Sequence, residues 1–187
     1  DSAIFISHVK ANMDIIAERR ATPVPDVTFT DKMTLELSGK KVGLSYLSRS
    51  HSDNMIVMKF PAERVVHAVD FVSVGAVAFR DLPDSYVDEW IDSLKNLETM
   101  DFEILSTGNG RIGVKRDVRD FRGYMESLRD QVTNLARAGH SVDEIVYRVT
   151  MDKYRSWFGY DKYVEVNVRA MYQRVSLNRR GNPRSRR

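Results

Sequence analysis

Cysteine is absent from the 187 residues, and histidine occurs only four times. The lack of cysteine excludes disulfides and thiolate metal ligands and leaves the redox compartment open. No run approaches the roughly 20 apolar residues of a membrane span, so no membrane partner is expected. The first residues, "DSAIFISHVKANM", lack the basic region and long apolar stretch of a signal peptide. A processed signal peptide would leave no trace, so the localisation stays open.

Positive and negative charges nearly balance except at the end of the chain. The net charge is +3, but residues 173 to 187, "QRVSLNRRGNPRSRR", hold six Arg and no acid, so the rest carries −3. We expect one domain over residues 1 to 172 and a basic, flexible tail after it. An Arg-rich tail can dock on nucleic acid, but the acidic body does not support nucleic acid as a partner.

The first half of the chain is rich in strand patterns. "SHVKANMDIIAERRA" has the apolar spacing of a helix. Alternating apolar and polar residues on both sides of positions 38 to 40, Ser-Gly-Lys, predict a hairpin. "NMIVMKF" and "RVVHAVDFVSV" predict two further strands, joined by a short turn.

The second half is mostly helical. Asp84 is placed to cap a helix whose apolar face runs from residue 87 to 97. Residues 115 to 138 predict a long amphipathic helix that ends at Gly139, where a C-cap glycine is expected. Ser141 begins a capping box for one more helix. The predicted order is helix, several strands, helix, strand, helix, helix.

Residues 108 to 113, "GNGRIG", match the G-x-G-x-x-G pattern of dinucleotide-binding turns. The apolar run "FEIL" precedes them and the long helix follows. A dinucleotide-binding unit needs a second parallel strand after that helix, with an acid at its end. Here Gly139 is followed by another helix, and Asp130, at about the right distance, falls inside the first. The sequence therefore argues against dinucleotide binding.

Two residues of metal-ligand type lie at predicted strand ends. His51 lies in "SRSHSDN" before one strand, and Asp70 follows "HAV" near the end of the next. Imidazole and carboxylate groups on loops of one sheet edge suit zinc or a similar metal. Taken singly, each has an ordinary alternative, since His51 could be a surface or hydrogen-bonded residue and Asp70 could cap a turn.

Together these segments resemble the C-terminal half of metallo-β-lactamase-fold hydrolases. The resemblance rests on His-Ser-Asp-Asn, a strand ending at Phe60-Pro61, a second strand running into Asp70, and Gly-x-Gly before a long helix. It extends over nearly the whole chain. It implies an α/β fold, the four-layer αββα sandwich, with a metal site along one edge of the two sheets and the N-terminal ligand-loop half absent from this chain.

The resemblance also implies residue roles. His51 matches a ligand of the first metal, Asp70 matches the carboxylate that bridges two metals or binds the second, and Asn109 occupies the position of a usual histidine ligand. One or two divalent metals, normally zinc, would activate water against an ester, lactone, thioester or amide-type bond of a small molecule. Arg80, Asp81 and Tyr86 would lie near the mouth of the site, as candidate substrate contacts.

Two departures limit the implied site. The chain contains no His-x-His motif, so further ligands would have to come from a missing N-terminal half, a partner chain or a second copy. Asn109 is a poor zinc ligand, because a neutral amide oxygen replaces imidazole. Half of a sandwich would also expose an apolar sheet face, which favours a covering partner or self-association. The alternative is a non-catalytic binding or assembly module with a decayed metal site.

The remaining histidines and aromatic residues have structural interpretations. His67 is in a strand, His8 is in the first predicted helix and His140 is next to a helix N-cap, so none matches a family ligand. The aromatic cluster "YRSWFGYDKYV" could stack on nucleic-acid bases. Its mixed charge favours packing of a C-terminal helix pair instead.

Overall fold

The structure is a computed structural model that describes residues 3–83 and 85–179, with the side chains of residues 177–179 outside the description. The strands are β1 (Ile6–His8), β2 (Val27–Phe29), β3 (Lys32–Leu37), β4 (Lys40–Ser45), β5 (Val57–Phe60), β6 (Val65–His67) and β7 (Ile104–Ser106). The helices are α1 (Val9–Ala17), α2 (Val87–Thr99), α3 (Lys115–Arg137), α4 (Val142–Arg148) and α5 (Tyr160–Arg179). Within those described ranges, none of the helices has the length and apolar character needed to cross a bilayer.

Five strands form one sheet in the order β3-β4-β5-β6-β7. The first four pair antiparallel and follow one another along the chain, and β7 pairs parallel with β6. Parallel neighbouring strands must be joined by a crossover, and the crossover from β6 to β7 contains α2. The predicted hairpin is confirmed: Ser38 and Gly39 both have positive φ, 51° and 76°, which is the requirement of the tight turn that matches strand twist.

One face of this sheet is covered by helices. Side chains alternate between faces along a strand, and the register places Val66 beside Leu105. Val66, Leu105 and Val57 are fully buried in one core cluster with residues of α2 and α3. The apolar face predicted for α2 is confirmed, since Val87, Trp90, Ile91, Leu94 and Leu97 are buried there. The long helix α3 packs in the same layer and ends before Gly139, as predicted.

The opposite face of the sheet is only partly covered. Met58, Phe60 and Val65 lie between buried and exposed, and Ile104 is 43% exposed. Among the described residues, none of these four belongs to the core cluster or packs against it. We call this surface the open face. The β1–α1–β2 segment covers one end of it, where the ring of His8 stacks on Tyr46 at 4.1 Å between centroids.

Several local predictions need correction. The strand predicted over residues 64–74 ends at His67, because the chain turns there instead of continuing in the sheet. His8 is the N-cap of α1 and lies outside the helix. The predicted boundary at residue 172 falls inside α5, so residues 173–179 of the predicted tail are helical. The rest of that tail lies outside the described residues, as does Asp84 with its predicted helix cap.

The aromatic residues near the C-terminus pack as predicted. Tyr154 contacts Tyr124 edge to face at 5.1 Å and Trp157 at 4.7 Å. The Tyr124 hydroxyl donates to Asn167 Oδ1 at 2.6 Å, and burial raises the pKa of Tyr124 above its usual value. This cluster joins α3 to α5. Phe158, by contrast, remains on the surface.

Candidate functional site

A pocket of about 600 Å³ opens where three loops meet, those after β4, β6 and β7. His51, Asp70 and Asn109 all line it. The structure therefore brings together the three positions that the sequence singled out, although His51 and Asp70 belong to different loops. A second cavity of about 530 Å³, lined by residues of α2, α3 and α5, includes none of them.

Asp70 lies in a tight turn just beyond β6. Its φ of 54° is uncommon for a residue other than glycine, and such conformations concentrate at functional sites. The Asp70 backbone N–H donates to the carbonyl of Thr107 at 3.3 Å. Its carboxylate Oδ1 accepts a hydrogen bond from Asn109 Nδ2 at 2.6 Å. The turn after β6 is thereby joined to the glycine loop after β7.

Gly108 permits the close approach of that loop to the Asp70 turn. Gly108 has a φ of 74°, and a Cβ at this position would lie 2.7 Å from a methyl group of Val69. Thr107 Oγ1 donates to the carbonyl of Asn109 at 2.6 Å and closes the loop. The contact with the Asp70 turn therefore explains Gly108, whereas Gly110 is favoured by its φ of 91°. A helix, α4, follows α3 where a dinucleotide-binding unit needs a strand.

His51 is held from the side of α2. Its ring contacts Trp90 edge to face, with 5.7 Å between centroids. The indole N–H of Trp90 donates to the carbonyl of Phe71 at 3.0 Å. Because Phe71 follows Asp70 directly, Trp90 connects the two loops that carry the candidate ligands. The sequence identified Trp90 only as part of an apolar helix face, and nothing in its spacing predicted this role.

An ion pair anchors the loop that precedes His51. Arg49 Nε donates to Glu89 Oε2 on α2 at 2.8 Å, and Arg49 Nη2 donates to Oε1 of the same carboxylate. The hydrogen bond from Arg49 holds the pKa of Glu89 below its usual value. The Tyr86 backbone N–H donates to the Ser50 carbonyl at 2.9 Å. The start of α2 thus fixes the position of the His51 loop.

The three candidate substrate contacts have different surroundings. Arg80 lines the pocket, and its guanidinium lies over the ring of Phe79 at 4.8 Å. The Tyr86 ring lies under the guanidinium of Arg49, at 4.1 Å. Neither Asp81 nor Tyr86 is among the described residues that line the pocket. Their contact with a substrate stays a prediction.

The other histidines are engaged elsewhere in the fold. His67 Nδ1 is 2.9 Å from Ser106 Oγ, across the β6–β7 pair. His8 Nε2 is 2.7 Å from the carbonyl oxygen of Thr30. His140 Nδ1 is 3.7 Å from a carboxylate oxygen of Glu144, next to the N-cap of α4. The contact of His67 agrees with the structural role predicted for it, and none of the three histidines lines the pocket.

His51 and Asp70 do not by themselves make a zinc centre. Catalytic zinc takes three protein ligands, and the structure, over residues 3–83 and 85–179, contains no group of three His, Cys, Asp or Glu side chains arranged to hold a metal. Asn109 adds an amide, which here donates to the carboxylate of Asp70. The chain therefore supplies two donors of suitable chemistry, and a complete centre needs ligands from outside the described residues.

No family model and no curated protein matches the chain. Solved structures do: a metallo-β-lactamase from Pontibacter korlensis is 15% identical over 65% of this chain and 57% of its own, with a TM-score of 0.56. The metallo-β-lactamase DIM-1 is 17% identical over 65% of this chain and 57% of its own, with a TM-score of 0.56. The structure titled TMB-1 is 16% identical, covers 65% of this chain and 56% of its own, and has a TM-score of 0.56.

These similarities confirm the predicted fold class. The chain has an α/β metallo-β-lactamase fold, and it spans little more than half the length of the structures it matches. The matched region is about two thirds of this chain, which is less than the nearly complete resemblance expected from the sequence. At such low identity the likeness is one of fold, and fold does not determine function.

Proposed function

We propose that this chain is the C-terminal part of a metal-dependent hydrolase, and that His51 and Asp70 are its contribution to the metal site. The observation that carries the proposal is that both residues, from separate loops, line one pocket at the sheet edge. The remaining ligands would come from outside the described residues, in a preceding half, a partner chain or a second copy. The fold shared with metallo-β-lactamases supports the proposal, as does the partial length of the match.

The contacts around the two donors suit this role. Asn109 holds Oδ1 of Asp70, while Oδ2 has no hydrogen-bond partner among the described residues and is available to a ligand. Trp90 fixes the ring of His51 and fills the space beside it with an apolar surface. A zinc or similar ion, when bound, would lower the pKa of its water and generate hydroxide near neutral pH.

The substrate in this proposal is a small molecule with an ester, lactone, thioester or amide-type bond. Pockets of several hundred cubic ångströms suit such ligands. Arg80 would meet an anionic group of the substrate, since its guanidinium lies at the pocket. Asp81 and Tyr86 remain candidates for contacts made only once the rest of the site is present.

The open face supports the need for a further part. Phe60, Val65 and Ile104 give it an apolar character, and apolar patches of that kind mark interaction surfaces. A single body that covers this face and reaches the sheet edge would complete both the core and the ligand set. In this proposal that body is a missing N-terminal half, and a partner chain or second copy would serve the same purpose.

Zinc binding tests the proposal directly. We would measure zinc affinity of the untagged chain by competition with a chromophoric chelator, and metal content by elemental analysis. His51→Ala and Asp70→Ala should each weaken binding by about tenfold or more, whereas His67→Ala should not, because His67 pairs with Ser106 on the open face. Asn109→His should strengthen binding by supplying a third donor.

The outcomes separate the alternatives. Because the described residues offer two donors, we expect zinc to bind weakly but measurably. No detectable binding even in excess zinc, or variants of His51 and Asp70 that bind zinc as well as the wild type, would contradict the hydrolase proposal. An unchanged affinity in Asn109→His would show that the glycine loop does not face the metal.

One observation favours a second function, a non-catalytic binding or assembly module whose metal site has decayed. The amide of Asn109 already occupies one carboxylate oxygen of Asp70 at 2.6 Å, as expected where a polar pair replaces a metal. Under this alternative, Asp70→Asn would preserve stability and ligand binding, and no variant would change zinc content. Under the hydrolase proposal the same substitution would weaken zinc binding.

A further inference from the structure

Two groups of residues stand out in the lining of the pocket, one polar and one aromatic. The polar group contains Asp70, Thr107 and Asn109, which are joined by the hydrogen bonds described above. The other group is aromatic: Phe79, Phe158 and Tyr163. We call these three residues the aromatic wall. Nothing in the metal chemistry requires it.

Two rings of the aromatic wall are in contact, and two of its three residues are exposed. Phe79 meets Tyr163 edge to face, with 5.3 Å between centroids. Phe79 is 56% exposed and Phe158 is 80% exposed. Clustered exposed aromatic rings in a concave surface are unusual in the absence of a ligand or partner.

The backbone presents Phe158 in a fixed position. Its N–H donates to the carbonyl of Gly75 at 2.9 Å, and its carbonyl accepts from Val77 at 3.2 Å. Gly159 follows with a φ of 78°, and a Cβ there would lie 2.8 Å from the ring of Tyr163. Phe158 is therefore tied into the segment that leads from Asp70 to Arg80, although its side chain is outside the core.

Charges beside the wall limit what it can accept. The guanidinium of Arg80 lies over the Phe79 ring at 4.8 Å, and the ammonium of Lys162 lies over the Tyr163 ring at 5.1 Å. Two cations at the rim disfavour a cationic ligand group and tolerate a neutral or anionic one. An aromatic group of the ligand can pack on the wall by offset or edge contacts.

We propose that the aromatic wall binds an aryl or similarly bulky apolar arm of the substrate, while the bond to be cleaved lies at His51 and Asp70. The inference rests on the proposed function for the location of the cleaved bond, and the arm is what it adds. It follows that the preferred substrates are esters, lactones, thioesters or amides of aryl-bearing acids, and that those with small or cationic arms bind less well.

A matched pair of amides tests the arm alone. N-phenylacetylglycine and N-acetylglycine differ chiefly by a phenyl ring, and both can be titrated into chelator-treated, metal-free chain while backbone amide resonances are recorded. We expect the phenylacetyl compound to bind about tenfold more tightly. The largest resonance shifts should fall in residues 75–80 and 157–163, which carry the wall.

Variants locate the effect. Phe158→Ala and Phe79→Ala should each remove most of the preference, and Phe158→Leu should retain part of it. Tyr147→Ala is the control, because Tyr147 is an exposed aromatic residue of α4 that does not line the pocket. Circular dichroism and thermal melts would verify that each variant is folded.

Equal affinities for the two amides, or a preference that survives both alanine substitutions, would overturn the inference. The titration contains no metal, so its result is independent of the zinc measurement. A phenyl preference in a chain that never binds zinc would contradict the hydrolase and leave the aryl subsite standing. Zinc bound through His51 and Asp70 without a phenyl preference would contradict the aryl subsite and leave the hydrolase proposal standing.

Discussion

The two faces of the five-stranded sheet differ in how far this chain completes them. On one face Val57, Val66 and Leu105 are fully buried under α2 and α3. On the other, Phe60 and Ile104 are only partly covered. The proposed metal site at the sheet edge is also incomplete, since the part of the chain that the structure describes contains no group of three side chains arranged to hold a metal. Within the described residues, both the cover of the sheet and the set of candidate metal ligands are thus incomplete.

Adjacent residues of β7 provide the largest test of this comparison. Leu105→Ala should lower the free energy of unfolding by about 2–5 kcal/mol, because it leaves a cavity in the core. Ile104→Ala, one residue earlier on the open face, should cost less than about 1 kcal/mol. Urea denaturation followed by circular dichroism measures both. Equal losses would mean that Ile104 is buried in solution and that the open face is already covered.

Self-association gives a smaller effect on the open face. Without a covering part, we expect the wild-type chain to associate at high concentration, because an apolar sheet face is then its own best partner. Ile104→Lys should weaken association about tenfold, which corresponds to about 1.4 kcal/mol. Sedimentation velocity over a range of concentrations measures the change.

The matched control is Tyr147→Lys, which alters an exposed aromatic residue on α4. It should leave association unchanged. A wild-type chain that remains monomeric, with ordinary stability and no bound partner, would contradict the idea that the open face must be covered.

Local periodicity explains which parts of the fold could be predicted. The buried face of α2 and the end of α3 at Gly139 follow from the spacing of apolar residues and one capping glycine. The strand predicted over 64–74 was too long, since an apolar run does not distinguish a strand from a buried irregular segment. Phe71 and Val72 lie in such a segment and are buried in the core.

The candidate site was predictable only in part. Resemblance to a known family brought His51, Asp70 and Asn109 together, and the pocket contains all three. The connection through Trp90 could not be predicted, because it depends on the orientation of a side chain between two loops that are distant in sequence. The hydrogen bond between Asn109 and Asp70 could not be predicted either, because it joins side chains of two loops that are 39 residues apart in sequence.

The smallest expected effect concerns the ion pair that links α2, on the covered side, to the His51 loop. The hydrogen bond from Arg49 lowers the pKa of Glu89 in the folded state. The resulting stability is therefore present above the unfolded pKa of about 4.3 and is lost as pH falls through the lower folded value.

Glu89→Gln should cost about 1 kcal/mol or less at pH 7, because both side chains are more than a third exposed, at 37% and 36%, and water screens the pair. The difference from wild type should shrink in acid, whereas Glu63→Gln, in an exposed pair with Lys40, should change the stability less. A deficit in Glu89→Gln that is as large at pH 3 as at pH 7 would mean that the side chain acts through packing, and that the His51 loop is not held to α2 by charge.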